Sequence, residues 1–225
     1  GEKETPNRHN CPGKHTGMLA YARLLGVTTD DYINIDHPIQ KNILKTFAEM
    51  CDMPTEAVQI GIDGCSVPNF AVPLRNAALA YARLSDPSGL APNRAAACQR
   101  ITTAMTSNPD MVGGPRRFDT QLMGMTNGRI LTKAGAEGYQ GIGVMPGALG
   151  PGSPALGIAF KIADGDLGGR ARPCVGMEVL TQLGALTEEI ISQLGPIYGN
   201  HPLYNWRKLM VGDIHTIFTL ERHGR

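Results

Sequence analysis

A cysteine and a lysine three positions apart, Cys11 and Lys14, open the first apolar run of this 225-residue chain. At the start of a helix, the macrodipole would favour the Cys11 thiolate, and the charge of Lys14 would lower the thiol pKa further. A thiolate and a neutral lysine amine could instead bind a metal ion together. A loop that caps the helix around a small buried thiol explains the same spacing equally well.

A second cysteine, Cys65, lies in the turn "DGCSVP" after a predicted buried strand. Asp63 opens that turn, where its carboxylate could reach into a cleft or simply cap the turn. Two cysteines together with Lys14, His9 and His15 could assemble a tetrahedral zinc site. On ligand chemistry alone a histidine is the preferred third ligand, because lysine must lose a proton to bind.

A third candidate is Lys133 in the stretch "LTKAGAEG". Its ammonium could hold a carboxylate or help to move a proton, and the small residues that follow would let a substrate lie against the strand edge. An exposed strand lysine before a glycine-rich turn is the plainer interpretation. In "MVGGPRRFDT", Asp119 belongs either to an anion-binding corner or to the start of a helix.

The elements that would position these residues can be predicted from periodicity. Pro12 and Gly13 interrupt a helical pattern, so the first helix should begin near Lys14 or His15. Helical periodicity covers about 15–25, 38–51, 73–84, 92–107, 116–125, 172–184 and 187–194, and strand patterns cover 57–62, 129–134, 139–145, 156–163 and 213–220.

This order of elements favours an α+β fold. The strands between Arg129 and Ala163 and the last strand near Ile214 should form one antiparallel sheet covered by helices. The glycine- and proline-rich segment 146–154 should be a loop between two of these strands. Three further cysteines fall in apolar helical patterns and are predicted to be core thiols: Cys51, Cys98 and Cys174.

Composition excludes several classes of function. The net charge is +1 and aromatic residues make up 5% of the chain, which disfavours binding to nucleic acid or to an anionic membrane. No apolar run reaches the roughly 18 residues of a membrane span. Five cysteines do not form a disulfide framework, so we expect a cytoplasmic protein. The opening "GEKETPNRHN" lacks an initiator methionine, and we expect residues upstream of it.

Taken in order, four segments resemble the L-asparaginase II family, the class 3 type of L-asparaginase: "NCPGKHTGMLA", "DGCSVPNFAVPL", "MVGGPRRFDTQLM" and "TKAGAEG". The resemblance runs from Asn10 to the C-terminal "VGDI". It implies a single domain over residues 1–225, similar in fold to serine β-lactamases and penicillin-binding proteins. It also implies a homodimer that hydrolyses L-asparagine to L-aspartate and ammonia.

The resemblance also implies roles for individual residues. Zinc near the active site would be held by Cys11, Lys14 and Cys65, while Asp63 and Lys133 would be the catalytic-site acid and strand lysine. The sequence departs from the family at Asp119, where some members have a cysteine. The role of that cysteine is therefore not carried over.

The nucleophile of the family, a Ser-x-x-Lys pair, is absent from these 225 residues. In the family it lies upstream of the zinc segment. We therefore expect either the C-terminal portion of an amidohydrolase or a shortened, non-catalytic zinc-binding relative. A third interpretation, ranked last, makes Cys11 and Lys14 the nucleophile pair.

Overall fold

The computed structural model describes residues 11–221 and 223, which divide into two compact units between Asn76 and Ala77. The boundary falls within α3 (Leu74–Ser85). In the part of the chain that the structure describes, no helix combines the length and the apolar character that crossing a membrane requires.

The first unit contains two helices, α1 (Pro12–Leu24) and α2 (Pro38–Met50), and a two-stranded antiparallel sheet of β1 (Gln59–Ile62) and β2 (Pro68–Ala71). Each helix begins with a proline, whose fixed φ and missing N–H suit the first helical position. The first helix therefore begins earlier than the predicted Lys14 or His15. The small core of this unit consists of Met18, Ala22, Ile39 and Val67.

The second unit carries most of the regular structure. After α3, the chain forms the following elements in order: α4 (Pro92–Ser107), α5 (Pro109–Gly113), α6 (Phe118–Met125), β3 (Ile130–Gly135), β4 (Tyr139–Val144), β5 (Leu156–Lys161), α7 (Ala171–Gln182), α8 (Glu188–Tyr198), β6 (His201–Tyr204) and β7 (Met210–Ile214). Its core joins α6, the sheet, α7 and α8 through residues that include Leu122, Ile142 and Leu180.

Strands β3, β4 and β5 form an antiparallel sheet in that order. The predicted α+β class and the loop at 146–154 are thereby confirmed. The prediction that the last strand joins this sheet is wrong, because β7 pairs with β6 in a separate two-stranded sheet. Beyond β7, the amide of Gln182 holds the chain in place, accepting from Leu220 N and donating to the Phe218 carbonyl.

Helix α3 lies unusually close to one face of the three-stranded sheet. A methyl group built on Gly157 would lie 1.8 Å from the carbonyl oxygen of Ala78, and one on Gly141 would lie 2.1 Å from the Tyr81 ring. Such distances are impossible for real atoms, so these positions require glycine for close approach of helix to sheet.

The three cysteines predicted as core thiols are buried: Cys51, Cys98 and Cys174. All five cysteines lie within the described part of the chain, and none of them forms a disulfide. This agrees with the prediction that the cysteines do not build a disulfide framework.

Candidate metal centre and catalytic residues

Three potential metal ligands converge in the first unit. The Sγ atoms of Cys11 and Cys65 and a carboxylate oxygen of Asp63 all lie within 4.8 Å of one another, and each residue is partly exposed. In a tetrahedral site with Zn–S bonds of about 2.3 Å, two thiolate sulfurs stand about 3.8 Å apart. The donor set and its spacing fit zinc.

The turn between β1 and β2 fixes two of these residues. The N–H of Asp63 donates to the Val67 carbonyl at 2.9 Å, and the Ser66 N–H donates to the Asp63 carbonyl at 2.8 Å. Asp63 Oδ1 also accepts from the Gly64 N–H at 2.7 Å. Asp63 therefore caps its turn through one oxygen and leaves Oδ2 directed at the cluster.

Packing and helix geometry bring the third residue to the turn. Cys11 directly precedes α1, and its carbonyl accepts the first helical hydrogen bond, from the His15 N–H at 3.1 Å. Cys65 packs against the core that contains Met18 of α1 and Val67 of the turn. A shared apolar core thus joins the start of the helix to the turn.

Lys14 completes the cluster as the partner of Asp63. Its Nζ donates to Asp63 Oδ2 at 2.8 Å, and Cys65 Sγ donates to the same oxygen at 3.5 Å. Partial burial acts to lower the pKa of Lys14, but hydrogen bonds to Asp63 and Cys65 outweigh it and raise that pKa. The bond from Lys14 holds the pKa of Asp63 below its usual value.

The thiol of Cys11 differs from the prediction made for it. Burial raises its pKa, as do Cys65 and Asp63, and the opposing charge of Lys14 does not compensate. The expected depression by a helix start and a nearby lysine is therefore not found. Metal binding would have to displace the thiol proton, as thiolates are the ligands of zinc.

No histidine belongs to the cluster among the residues that the structure describes. The Nδ1 atom of His15 lies 2.5 Å from the Tyr32 hydroxyl, and the two rings meet edge to face. His9 lies outside the described residues. Ligand chemistry alone predicted a histidine as the third ligand. In the structure, Asp63 and Lys14 lie next to the two cysteines instead.

Lys133 belongs to the second unit, on the edge strand β3. Its side chain is exposed, and Nζ donates to the carbonyl oxygen of Ala134 at 2.6 Å. Of the five residues predicted for the site, the structure brings together Cys11, Lys14, Asp63 and Cys65. Lys133 is described within its own unit.

Asp119 is buried in the first turn of α6, with 3% of its surface exposed. It is the helix-start acid of the two predicted alternatives, but it faces the sheet and accepts hydrogen bonds from β3 and β4. Sequence reasoning missed its partners Thr132 and Gln140. Their signal was a polar residue at a position of each strand where the alternating pattern places side chains towards the core.

Comparison with known proteins identifies the family of this chain. The model of the L-asparaginase II family matches residues 1–216, which is nearly the whole chain. Among curated proteins, none matches it. The matched region contains the cysteine, aspartate and lysine cluster as well as the strand lysine, so the chain belongs to the L-asparaginase II family.

Proposed function

We propose that the protein is an L-asparaginase-type amidohydrolase that converts L-asparagine to L-aspartate and ammonia. Family membership supports an amidohydrolase that acts on an amino acid. The observation that carries the proposal is the match of the L-asparaginase II family model to residues 1–216, and the convergence of Cys11, Lys14, Asp63 and Cys65 supports a metal site in such an enzyme.

The reaction needs a nucleophile with an adjacent base. A serine hydroxyl, deprotonated by the lysine three positions later, would attack the side-chain amide carbon and release ammonia. Water would then cleave the acyl-enzyme to give aspartate and free serine. No Ser-x-x-Lys occurs in these 225 residues, and the proposed activity depends on such a pair.

The residues of this chain would bind and orient the substrate. The Lys133 ammonium would hold the substrate carboxylate or share in proton transfer, as its exposed head group allows. Asp63 is proposed as a substrate-binding acid because it matches the acid that the family resemblance implies. Without a nucleophile such positioning leaves most of the barrier in place.

We assign a zinc site to Cys11, Lys14 and Cys65. When bound, zinc would supply a fixed positive centre that orients the substrate through Asp63. The raised pKa of Lys14 and the lowered pKa of Asp63 support a variant of this set in which the carboxylate replaces the amine. Zinc content of Lys14→Met and of Asp63→Asn separates the two sets, since the true ligand shows the larger loss.

The proposal includes a fold similar to serine β-lactamases and a homodimer in a reducing compartment. The three-stranded antiparallel sheet with a Lys-Ala-Gly segment on its edge strand supports the fold. The absence of any disulfide among the five cysteines supports the compartment.

A non-catalytic zinc-binding protein is the second candidate function, and the missing Ser-x-x-Lys favours it. The test is ammonia release from L-asparagine by the 225-residue chain and by a version extended upstream to include the pair. We expect turnover only from the extended version. No turnover from either would favour the second candidate.

The same assay tests Cys11 as a nucleophile. Turnover by the 225-residue chain that Cys11→Ala abolishes, and that zinc removal leaves unchanged, would make Cys11 the nucleophile and overturn the zinc assignment.

A further inference from the structure

The buried carboxylate of Asp119 connects helix α6 to two strands. Oδ1 accepts from Thr132 Oγ1 at 3.0 Å and from Gln140 Nε2 at 2.8 Å, while Oδ2 accepts from the backbone N–H of Ala134 at 2.8 Å. All of these donors are neutral. They occupy both oxygens of a side chain that is 3% exposed, so the carboxylate is fully engaged inside the protein.

Arg172 of α7 fixes the orientation of the Gln140 amide and therefore the direction of its hydrogen bond to Asp119. Arg172 Nη1 donates to Gln140 Oε1. A guanidinium can only donate, so the oxygen of the Gln140 amide must face Arg172 and its NH₂ group must face Asp119. The Gln140 amide cannot flip without placing one donor against another.

The residue next to the predicted strand lysine is held at both backbone groups. The N–H of Ala134 donates to Asp119, and the carbonyl of Ala134 accepts from Lys133 Nζ at 2.6 Å. Ala134 lies on the edge strand of its sheet, where an N–H without a side-chain acceptor would face solvent or a ligand.

Asp119 contacts one face of strand β3, and the Lys133 side chain projects from the opposite face. Thr132 and Ala134 share the face that meets Asp119, and side chains alternate along a strand, so Lys133 projects to the other face. Any influence of Asp119 on Lys133 must therefore pass through the backbone of Ala134.

We propose that Asp119 is a positioning residue for Lys133. By fixing the backbone at Ala134, it places the carbonyl that anchors the Lys133 ammonium on the exposed edge of the sheet. This deepens the proposed function, because it rests on Lys133 being the lysine that meets the substrate. Asp119, which stands where some family members have a cysteine, would thus act on the site from the face of β3 opposite to the Lys133 side chain.

The test is Asp119→Asn in the 225-residue chain, read by nuclear magnetic resonance without any activity assay. One oxygen becomes an NH₂ group, which must face either the Ala134 N–H or the Gln140 NH₂ group. We expect hydrogen exchange of the Ala134 amide to accelerate by about tenfold or more. The Cε signal of ¹³C-labelled Lys133, assigned with Lys133→Arg, should move towards the position of an unstructured lysine.

The matched control is Asp110→Asn, which removes an acid from the first turn of α5, where its side chain is exposed. It should leave both signals unchanged. If Asp119→Asn does not fold, Arg172→Met releases the Gln140 amide instead, and it should move the same two signals in the same direction by a smaller amount.

An unchanged Lys133 signal in the folded variant overturns the proposal, even if Ala134 exchanges faster, since Asp119 would then only stabilise the fold. Failure of the asparaginase assignment would not move these signals. The two proposals therefore fail separately.

Discussion

Two aspartates, Asp63 in the first unit and Asp119 in the second, are bound in opposite ways. Asp63 is partly exposed, and its Oδ2 has a charged lysine as partner. Asp119 is buried, and both of its oxygens are taken by neutral donors. An exposed ion pair can exchange partners at small cost, whereas a saturated buried carboxylate cannot take a ligand. Asp63 can therefore serve a metal or substrate directly, whereas Asp119 can act only through the groups that it holds in place.

The largest effect should come from Lys133→Ala in the version extended to include the nucleophile. We expect kcat to fall by about a hundredfold or more, the range for a residue that transfers protons or orients the substrate. Thermal stability should stay nearly constant, because the head group is exposed. Steady-state kinetics and melting curves measure both.

Lys161→Ala is the matched control for Lys133→Ala, because Lys161 is also an exposed strand lysine that donates to a backbone carbonyl. Its kcat should stay near the wild-type value. Equal losses in the two variants would remove Lys133 from the site and leave Asp119 with nothing to position.

Zinc binding should depend strongly on the exposed cluster. Cys65→Ser should weaken it by roughly a hundredfold, since one ligand of four contributes about a quarter of a binding free energy on the order of 10 kcal/mol. Cys98→Ser is the control, because that buried thiol lies outside the cluster. Metal content after dialysis measures the difference, and full zinc in both variants would contradict the site.

The two aspartates should differ directly in their effect on stability. Asp119→Asn should lower the free energy of unfolding by about 1–3 kcal/mol, because it leaves buried donors without an acceptor. Asp63→Asn should cost less than about 1 kcal/mol, since the ion pair with Lys14 is more than a third exposed and screened by water. Urea unfolding of metal-free protein tests this order, and a larger loss for Asp63→Asn would reverse the comparison.

The smallest effect concerns the start of α7, the helix that carries Arg172. Asp166 accepts backbone hydrogen bonds from Arg170, Ala171 and Arg172. Partial burial acts to raise its pKa, but these bonds, with the nearby Arg172 charge, outweigh burial and lower it. Its stabilisation is therefore complete above the unfolded-state pKa of about 3.9 and is lost as the pH falls through the lower folded-state value.

Asp166→Asn should accordingly cost about 1 kcal/mol or less at pH 7, and its deficit against wild type should shrink below about pH 4. Melting temperatures at pH 7 and pH 3 measure the change. A deficit that stays constant with pH would show that the charge of Asp166 contributes nothing to α7.

Local patterns predicted most of the fold. Periodicity placed α2, α3, α4, α6, α7, α8 and the three strands of the main sheet close to their observed positions, but it did not predict the short elements α5 and β2. It missed β6 because only four residues, His201–Tyr204, form it, and their pairing partner is β7. The range predicted for the last strand, 213–220, lies too far towards the C-terminus for the same reason. Its alternating pattern continues to Leu220, but only Met210–Ile214 has a partner strand.

The candidate metal centre was predictable where chemistry and spacing coincide, as in the two cysteines, Lys14 and Asp63. The ion pair between Lys14 and Asp63 was not, since the two are 49 positions apart. Nor was the burial of Asp119, whose acceptor role depends on donors 13 to 21 positions away. The sequence identifies the reactive side chains. Their hydrogen-bond partners, which come from distant segments, decide whether each side chain is open to a ligand or holds other groups of the protein in place.

The close contact between α3 and the sheet has a consequence for how this sequence can vary. Gly141 and Gly157 face backbone or ring atoms at distances that admit no additional carbon. A saturation mutagenesis library should therefore lose every side chain at these positions, alanine included, while Gly61, with open space at its missing Cβ, should accept many. Gly141 is paired with Lys133 across the sheet, so the position directly opposite the proposed catalytic lysine should not accept a larger residue.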